Sequence, residues 1–99
     1  LLKYKDLVNQ SKYSGIENQF VLDEATDSYL WLKFGWTESG RLESIIVFVR
    51  IFNNKIYIEE DLTEKGIATD LLEKGILSKD IVLAFQKPEK RKLTEFALN

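Results

Sequence analysis

The run LESIIVFVRIF, residues 42–52, constrains the fold more than any other stretch. Read as a strand, it places Ile45, Val47, Val49 and Ile51 on one face and Leu42, Ile46, Phe48, Arg50 and Phe52 on the other. A strand that is apolar on both faces belongs in the interior of a sheet, covered from both sides. The run ends at Asn53–Asn54, two residues that tolerate the left-handed backbone of a type I′ turn. KIYIEE, residues 55–60, then pairs back. The centre of the fold is therefore predicted to be an antiparallel hairpin.

The flanking sequence extends this hairpin into a meander. NQFVLD suits a strand over 18–23, with a turn from Ala25 to Ser28. SYLWLKFGW suits a second strand over 28–36, with Leu30, Leu32, Phe34 and Trp36 on one face and Tyr29, Trp31, Lys33 and Gly35 on the other. TESGR supplies turn residues, Gly40 among them. Upstream, Leu1, Tyr4, Leu7 and Val8 recur at helical spacing, which predicts a helix over residues 1–13 that starts before Leu1 and stops near Gly15.

Downstream, Thr63 is placed to cap a helix, Leu62 and Ile67 to staple it, and Ile67, Ala68, Leu71 and Leu72 to face inward. Gly75–Ile76 predicts a Schellman stop. Ser78 predicts a second short helix through DIVLAF, Pro88 redirects the chain, and LTEFAL packs back as an apolar tail. The expected architecture is α+β: an N-terminal helix, a four-stranded antiparallel meander sheet, two C-terminal helices and a packed tail, in one domain over 1–99.

A chain of 99 residues supports one core, and a 44% hydrophobic content agrees with that. The absence of Cys and His rules out disulfides, the usual zinc sites and the Cys–His or Ser–His nucleophile pairs. No apolar run nears the ~20 residues that span a bilayer. No stretch reads as a signal peptide, and a cytoplasmic location is expected.

Four features invite a functional reading. KPEKRK, residues 87–92, carries Lys87, Lys90, Arg91 and Lys92 within a chain of net charge −2. As a DNA contact it would grip phosphates, yet residues 1–78 hold nine basic against thirteen acidic side chains, and DNA-binding domains carry a broader basic face. The favoured reading is a solvated turn in which Arg91 pairs with a carboxylate. The acidic group Glu59, Glu60, Asp61 and Glu64 has the density of a divalent-metal site, but acids at a helix start also complement its dipole in solvent. Trp31 and Trp36 point to opposite faces of one strand. Trp36 is expected in the core and Trp31 on a partner surface. Arg50 interrupts an apolar face, which calls for a carboxylate, several carbonyls or an interface.

FGWTESGR, then FNNKIYIEEDLTEKGIATDLLEKGI, then SKDIVLAFQKPEKRKLTEFAL, from Leu30 to Leu98, resemble in order and spacing the XisI family. Its members are small cyanobacterial proteins named as fdxN element excision controlling factors. One departure is Arg50, where the family pattern often has a His near the end of the long strand. The resemblance implies a non-catalytic accessory protein in developmental DNA excision, and no cofactor and no metal are expected. It further implies contact with a nuclease-fold partner resembling XisH. Trp31, Arg50, Tyr57 and Arg91 are the candidate partner-facing residues, and aromatic sheet surface predicts a homodimer. A DNA-binding accessory factor working through Lys87, Lys90, Arg91 and Lys92 is the alternative.

Overall fold

A computed structural model describes residues 15–99. Strands β1 (Ile16–Asp23), β2 (Ser28–Thr37), β3 (Gly40–Phe52), β4 (Lys55–Asp61) and β5 (Ile81–Leu83) form one sheet in the order β1-β2-β3-β4-β5. The first three pairings are antiparallel hairpins and the last, β4 with β5, is parallel. Helix α1 (Ile67–Glu73) fills the crossover between β4 and β5, and α2 (Pro88–Arg91) is a single turn.

The expected four-stranded antiparallel sheet with two C-terminal helices is thus corrected to a five-stranded mixed sheet with short helical pieces, a mostly β fold. The expected N-terminal helix lies outside the described residues. The second C-terminal helix is replaced by a 3-10 turn at Ser78–Asp80 and then β5. Ile81 and Val82 are β-branched and wholly buried, and they hydrogen-bond to the free edge of β4. A short apolar run of this kind has no period that separates strand from helix. The available edge decides it.

The turns follow their local chemistry. Asn53 and Asn54 both take positive φ, 52° and 62°, as a type I′ hairpin requires. At the end of α1, Gly75 N–H donates to the Leu72 carbonyl and Ile76 N–H to the Leu71 carbonyl, both at 3.0 Å, which is the Schellman pattern. The start of α1 is fixed from further back than Thr63. The Asp61 carboxylate accepts from the Ile67 N–H (2.7 Å), while Thr63 Oγ1 accepts from the Gly66 N–H (3.2 Å).

Two bulges set which side chains share a face. Trp31 is opposite Val47 and Leu32 opposite Ile45, so Ile46 has no partner across β2. Phe48 is opposite Glu60 and Val49 opposite Ile58, so Glu59 has none across β3. Each bulge shifts the alternation by one residue. Ile45 therefore joins Phe48 and Arg50 on one face, while Ile46 packs with Val47 and Val49 on the other. The core lies on that second face. Trp31, Val47, Val49 and Ile58 meet Ile67 of α1, and Ile81 closes the cluster.

β3 is the middle strand, as its sequence predicts. Near one end of the core face the backbones of β1 and β2 approach closely. The Trp36 N–H donates to the Gly15 carbonyl (2.9 Å), and a Cβ on Gly35 would lie 2.0 Å from that same oxygen.

Candidate functional site

The opposite face of the sheet carries no helix among the described residues. Along β3 it presents, in order, Arg41, Glu43, Ile45, Phe48, Arg50 and Phe52. From β2 it takes Leu30, Leu32, Phe34 and Trp36, and from β4 Tyr57 with Glu59 and Glu60. Trp36 is 66% exposed and Phe52 53%. None of the apolar residues of this face belongs to the core cluster.

Two arginine–aromatic groups occupy its two ends. Arg50 donates from Nε to Glu59 Oε2 (2.7 Å), and its guanidinium lies 5.4 Å from the centroid of Tyr57 and 5.8 Å from that of Phe52. The bulge at Glu59 turns this carboxylate onto the same face as Arg50. At the other end Arg41 lies 5.7 Å from the Trp36 ring and 5.8 Å from the Phe34 ring, with Glu43 Oε1 at 3.4 Å from its Nε. Cations held over aromatic rings keep their charge while presenting flat apolar surface. Beside Arg41 a shallow depression of about 410 Å³ is bounded by Leu32, Phe34 and Ile45.

The two tryptophans are placed the other way round from expectation. Trp31 is 8% exposed, stacks on Phe20 at 5.5 Å and donates from Nε1 to Asn18 Oδ1 (3.0 Å). It is a core residue, and Trp36 is the exposed one. The reason is the side on which α1 crosses. Tyr29, Trp31 and Val49 share the face that α1 covers, which leaves the row ending in Trp36 open. Of the four partner-facing candidates, the structure brings together only Arg50 and Tyr57, which are paired across β3 and β4. Sequence reasoning missed Arg41, although its place four residues after Thr37 across a tight turn sets it opposite Trp36.

Arg91 lies at the far edge and does not face a carboxylate. Its Nε donates to the carbonyls of Leu83 (3.2 Å) and Gln86 (3.0 Å), and its other nitrogens to Ala84 (3.1 Å) and Leu98 (3.3 Å). A guanidinium can satisfy its fixed fork of donors with carbonyls as well as with a carboxylate, and this turn offers carbonyls. Arg91 thereby ties the tail to β5, where Ala97 N–H also reaches the Ile81 carbonyl (2.9 Å). Lys87, Lys90 and Lys92 are exposed.

The acidic group is divided among separate tasks. Glu59 holds Arg50, Asp61 caps α1, and Glu60 Oε1 accepts from the Asp61 N–H (3.2 Å). Among the described residues no three His, Cys, Asp or Glu side chains form a metal-holding group. Lys65 bridges Glu73 (2.6 Å) and Asp70 (2.9 Å), and these carboxylates hold its ammonium above the ordinary lysine range. A second, apolar groove of about 300 Å³ lies on the core side between Leu22, Tyr29, Ile51 and Leu71. Among the described residues no helix is long and apolar enough to cross a membrane.

This architecture defines a class: a small domain whose meander sheet is closed at one edge by a β-α-β crossover, with one face packed and, among the described residues, the other without a covering helix. The chain belongs to the XisI family, whose model, described as XisI protein, matches residues 1–98. Among solved structures, it is similar to the fdxN element excision controlling factor XisI from Anabaena variabilis. That match has 44% identity and a TM-score of 0.84, and covers 99% of this chain and 87% of that one. It is also similar to a XisI-like protein from the same organism, with 28% identity, a TM-score of 0.83 and coverage of 99% and 98%. No curated protein matches the chain.

Proposed function

We propose that this protein is a non-catalytic controlling factor that acts by protein–protein contact, in a cytoplasmic DNA-excision system of the kind its neighbour's name describes. The observation that carries this reading is the open sheet face, with Trp36, Phe52, Arg41 and Arg50 set among apolar neighbours. Tryptophan, tyrosine and arginine dominate the energetics of protein interfaces, and an apolar patch rimmed by charge marks an interaction surface. The XisI resemblance suggests a nuclease-fold, XisH-like protein as the partner.

The test is co-expression with such a protein, followed by affinity capture and size exclusion. Co-elution at a fixed ratio supports the reading. No capture, together with sub-micromolar DNA binding by this chain alone, overturns it in favour of a DNA-binding accessory factor. That alternative rests on Lys87, Lys90 and Lys92. With Arg91 committed to carbonyls, three phosphate contacts would give a salt slope of about −2.7 on duplex DNA.

A further inference from the structure

The open face of β3 reads as a self-complementary string. On either side of the bulge at Ile46 it runs Arg41, Glu43, Ile45 and then Phe48, Arg50, Phe52. Lay a second copy face to face with its β3 antiparallel and the two bulges in register. Ile45 then meets Phe48 of the other copy, Glu43 meets Arg50, and Arg41 meets Phe52. Each contact is favourable in kind: apolar on aromatic, carboxylate on guanidinium, cation on ring. A two-fold axis between the faces, crossing β3 at the bulge, makes every contact twice, as an isologous interface requires.

The geometry points to a second copy of this chain as the occupant of the open face, in that register. This rests on reading the face as a protein-binding surface: in the free protein a second copy occupies it, and a nuclease-fold partner that binds the same face displaces that copy. The side chains are free to serve. The Glu43 side chain is 74% exposed, and its contact to Arg41 is long at 3.4 Å. The side chain of Arg50 keeps 42% of its surface in solvent despite Glu59, so a second carboxylate can reach it. The area suffices. Three strands at about 4.8 Å spacing, over roughly 35 Å of length, give about 500 Å² per copy. The total of about 1,000 Å² meets the lower bound for a specific interface.

The experiment is sedimentation equilibrium of the full chain from about 1 to 100 μM, with variants Glu43→Arg and Arg50→Glu studied singly and mixed. Wild type should dimerise. Each single variant should set like charges against each other at two symmetric positions and dissociate at least ~30-fold more readily. In an equimolar mixture, the arginine introduced at position 43 of one variant meets the glutamate introduced at position 50 of the other. The remaining pair is the native one, Arg50 of the first variant with Glu43 of the second. The mixture should therefore restore the dimer as a heterodimer. Restoration requires both variants to be folded, so misfolding cannot mimic it.

A wild type that stays monomeric throughout overturns the proposal. So does a dimer indifferent to both substitutions, or a mixture that fails to reassociate. Parallel capture of the nuclease-fold protein keeps the two readings apart. A monomer that captures it defeats only the dimer, and a dimer that captures nothing defeats only the proposed function.

Discussion

The two faces of this sheet draw on the same strands and nearly the same residue types, and differ in what lies over them. On the α1 side, Val47 and Ile58 have no accessible surface, and Trp31 is sealed with its indole N–H satisfied. On the other side, Trp36 and Phe52 remain more than half in solvent. Hydrophobicity alone therefore does not name a core. The crossover from β4 to β5 names it, by placing α1 on one side only. The open side keeps its aromatics in solvent beside arginine and glutamate, a composition suited to reversible contact.

The contrast breaks or sharpens through substitutions, beginning with the largest effect. Trp31→Ala should cost about 3–5 kcal/mol and lower the melting temperature by ~15 °C or more, because it leaves a cavity and strands Asn18 Oδ1. If Trp31→Ala melts like wild type, the core has been assigned to the wrong face. Gly35→Ala should follow at about 2–3 kcal/mol by urea unfolding, since its Cβ would strike the Gly15 carbonyl and its φ is 145°.

Arg91→Ala should cost about 2 kcal/mol, as it removes the guanidinium from the carbonyls of Ala84, Gln86 and Leu98 and leaves that of Leu83 with the Gln86 N–H alone. Trp36→Ala should shift the stability of the monomer by less than ~0.5 kcal/mol, the opposite of its strand-mate Trp31. Simultaneous replacement of Lys87, Lys90 and Lys92 by Ala should change unfolding equally little.

The smallest effect is a pH dependence. Glu73 and Asp70 raise the Lys65 ammonium above its ordinary value, so its stabilisation is full below the unfolded-state value of ~10.4 and lost as pH rises through the higher folded one. The melting difference between wild type and Lys65→Met should stay constant from pH 7 to 9 and shrink only in strong alkali.

Much of the local structure was legible because it depends on neighbouring residues alone. The Asn53–Asn54 turn, the Gly75–Ile76 stop and the central position of β3 all follow from short patterns. The grouping of Leu30, Leu32, Phe34 and Trp36 on one face was also legible. Which face is covered was not, because that depends on where α1 returns. The faces of β3 were misgrouped because a bulge is a property of two paired strands. Ile45 alternates with Val47 in sequence, yet looks the other way once Ile46 is skipped. β5 was hidden for a related reason, since Ile81–Leu83 becomes a strand only by finding the edge of β4. On the open face, the sequence singles out Arg50 and Tyr57, which the structure pairs across β3 and β4, while Arg41 needed the pairing of β2 with β3 before its place beside Trp36 was visible.

The change of strand direction at the last edge has a kinetic consequence. β1 to β4 are joined by hairpins between sequence neighbours, and the turn at Asn53–Asn54 closes over two residues. β5 reaches β4 only across the intervening crossover that holds α1, and Ala97, which hydrogen-bonds to Ile81, lies later still along the chain. Contacts that close short loops form first, and parallel, long-loop pairings lag. The meander is therefore expected to assemble as a unit and the segment from Ile81 onward to dock on it afterwards. In native-state amide exchange, Ile81, Leu83 and Ala97 should open at lower free energy than Val47 and Val49. Equal protection across both groups would mean that the sheet folds in a single step, edge included.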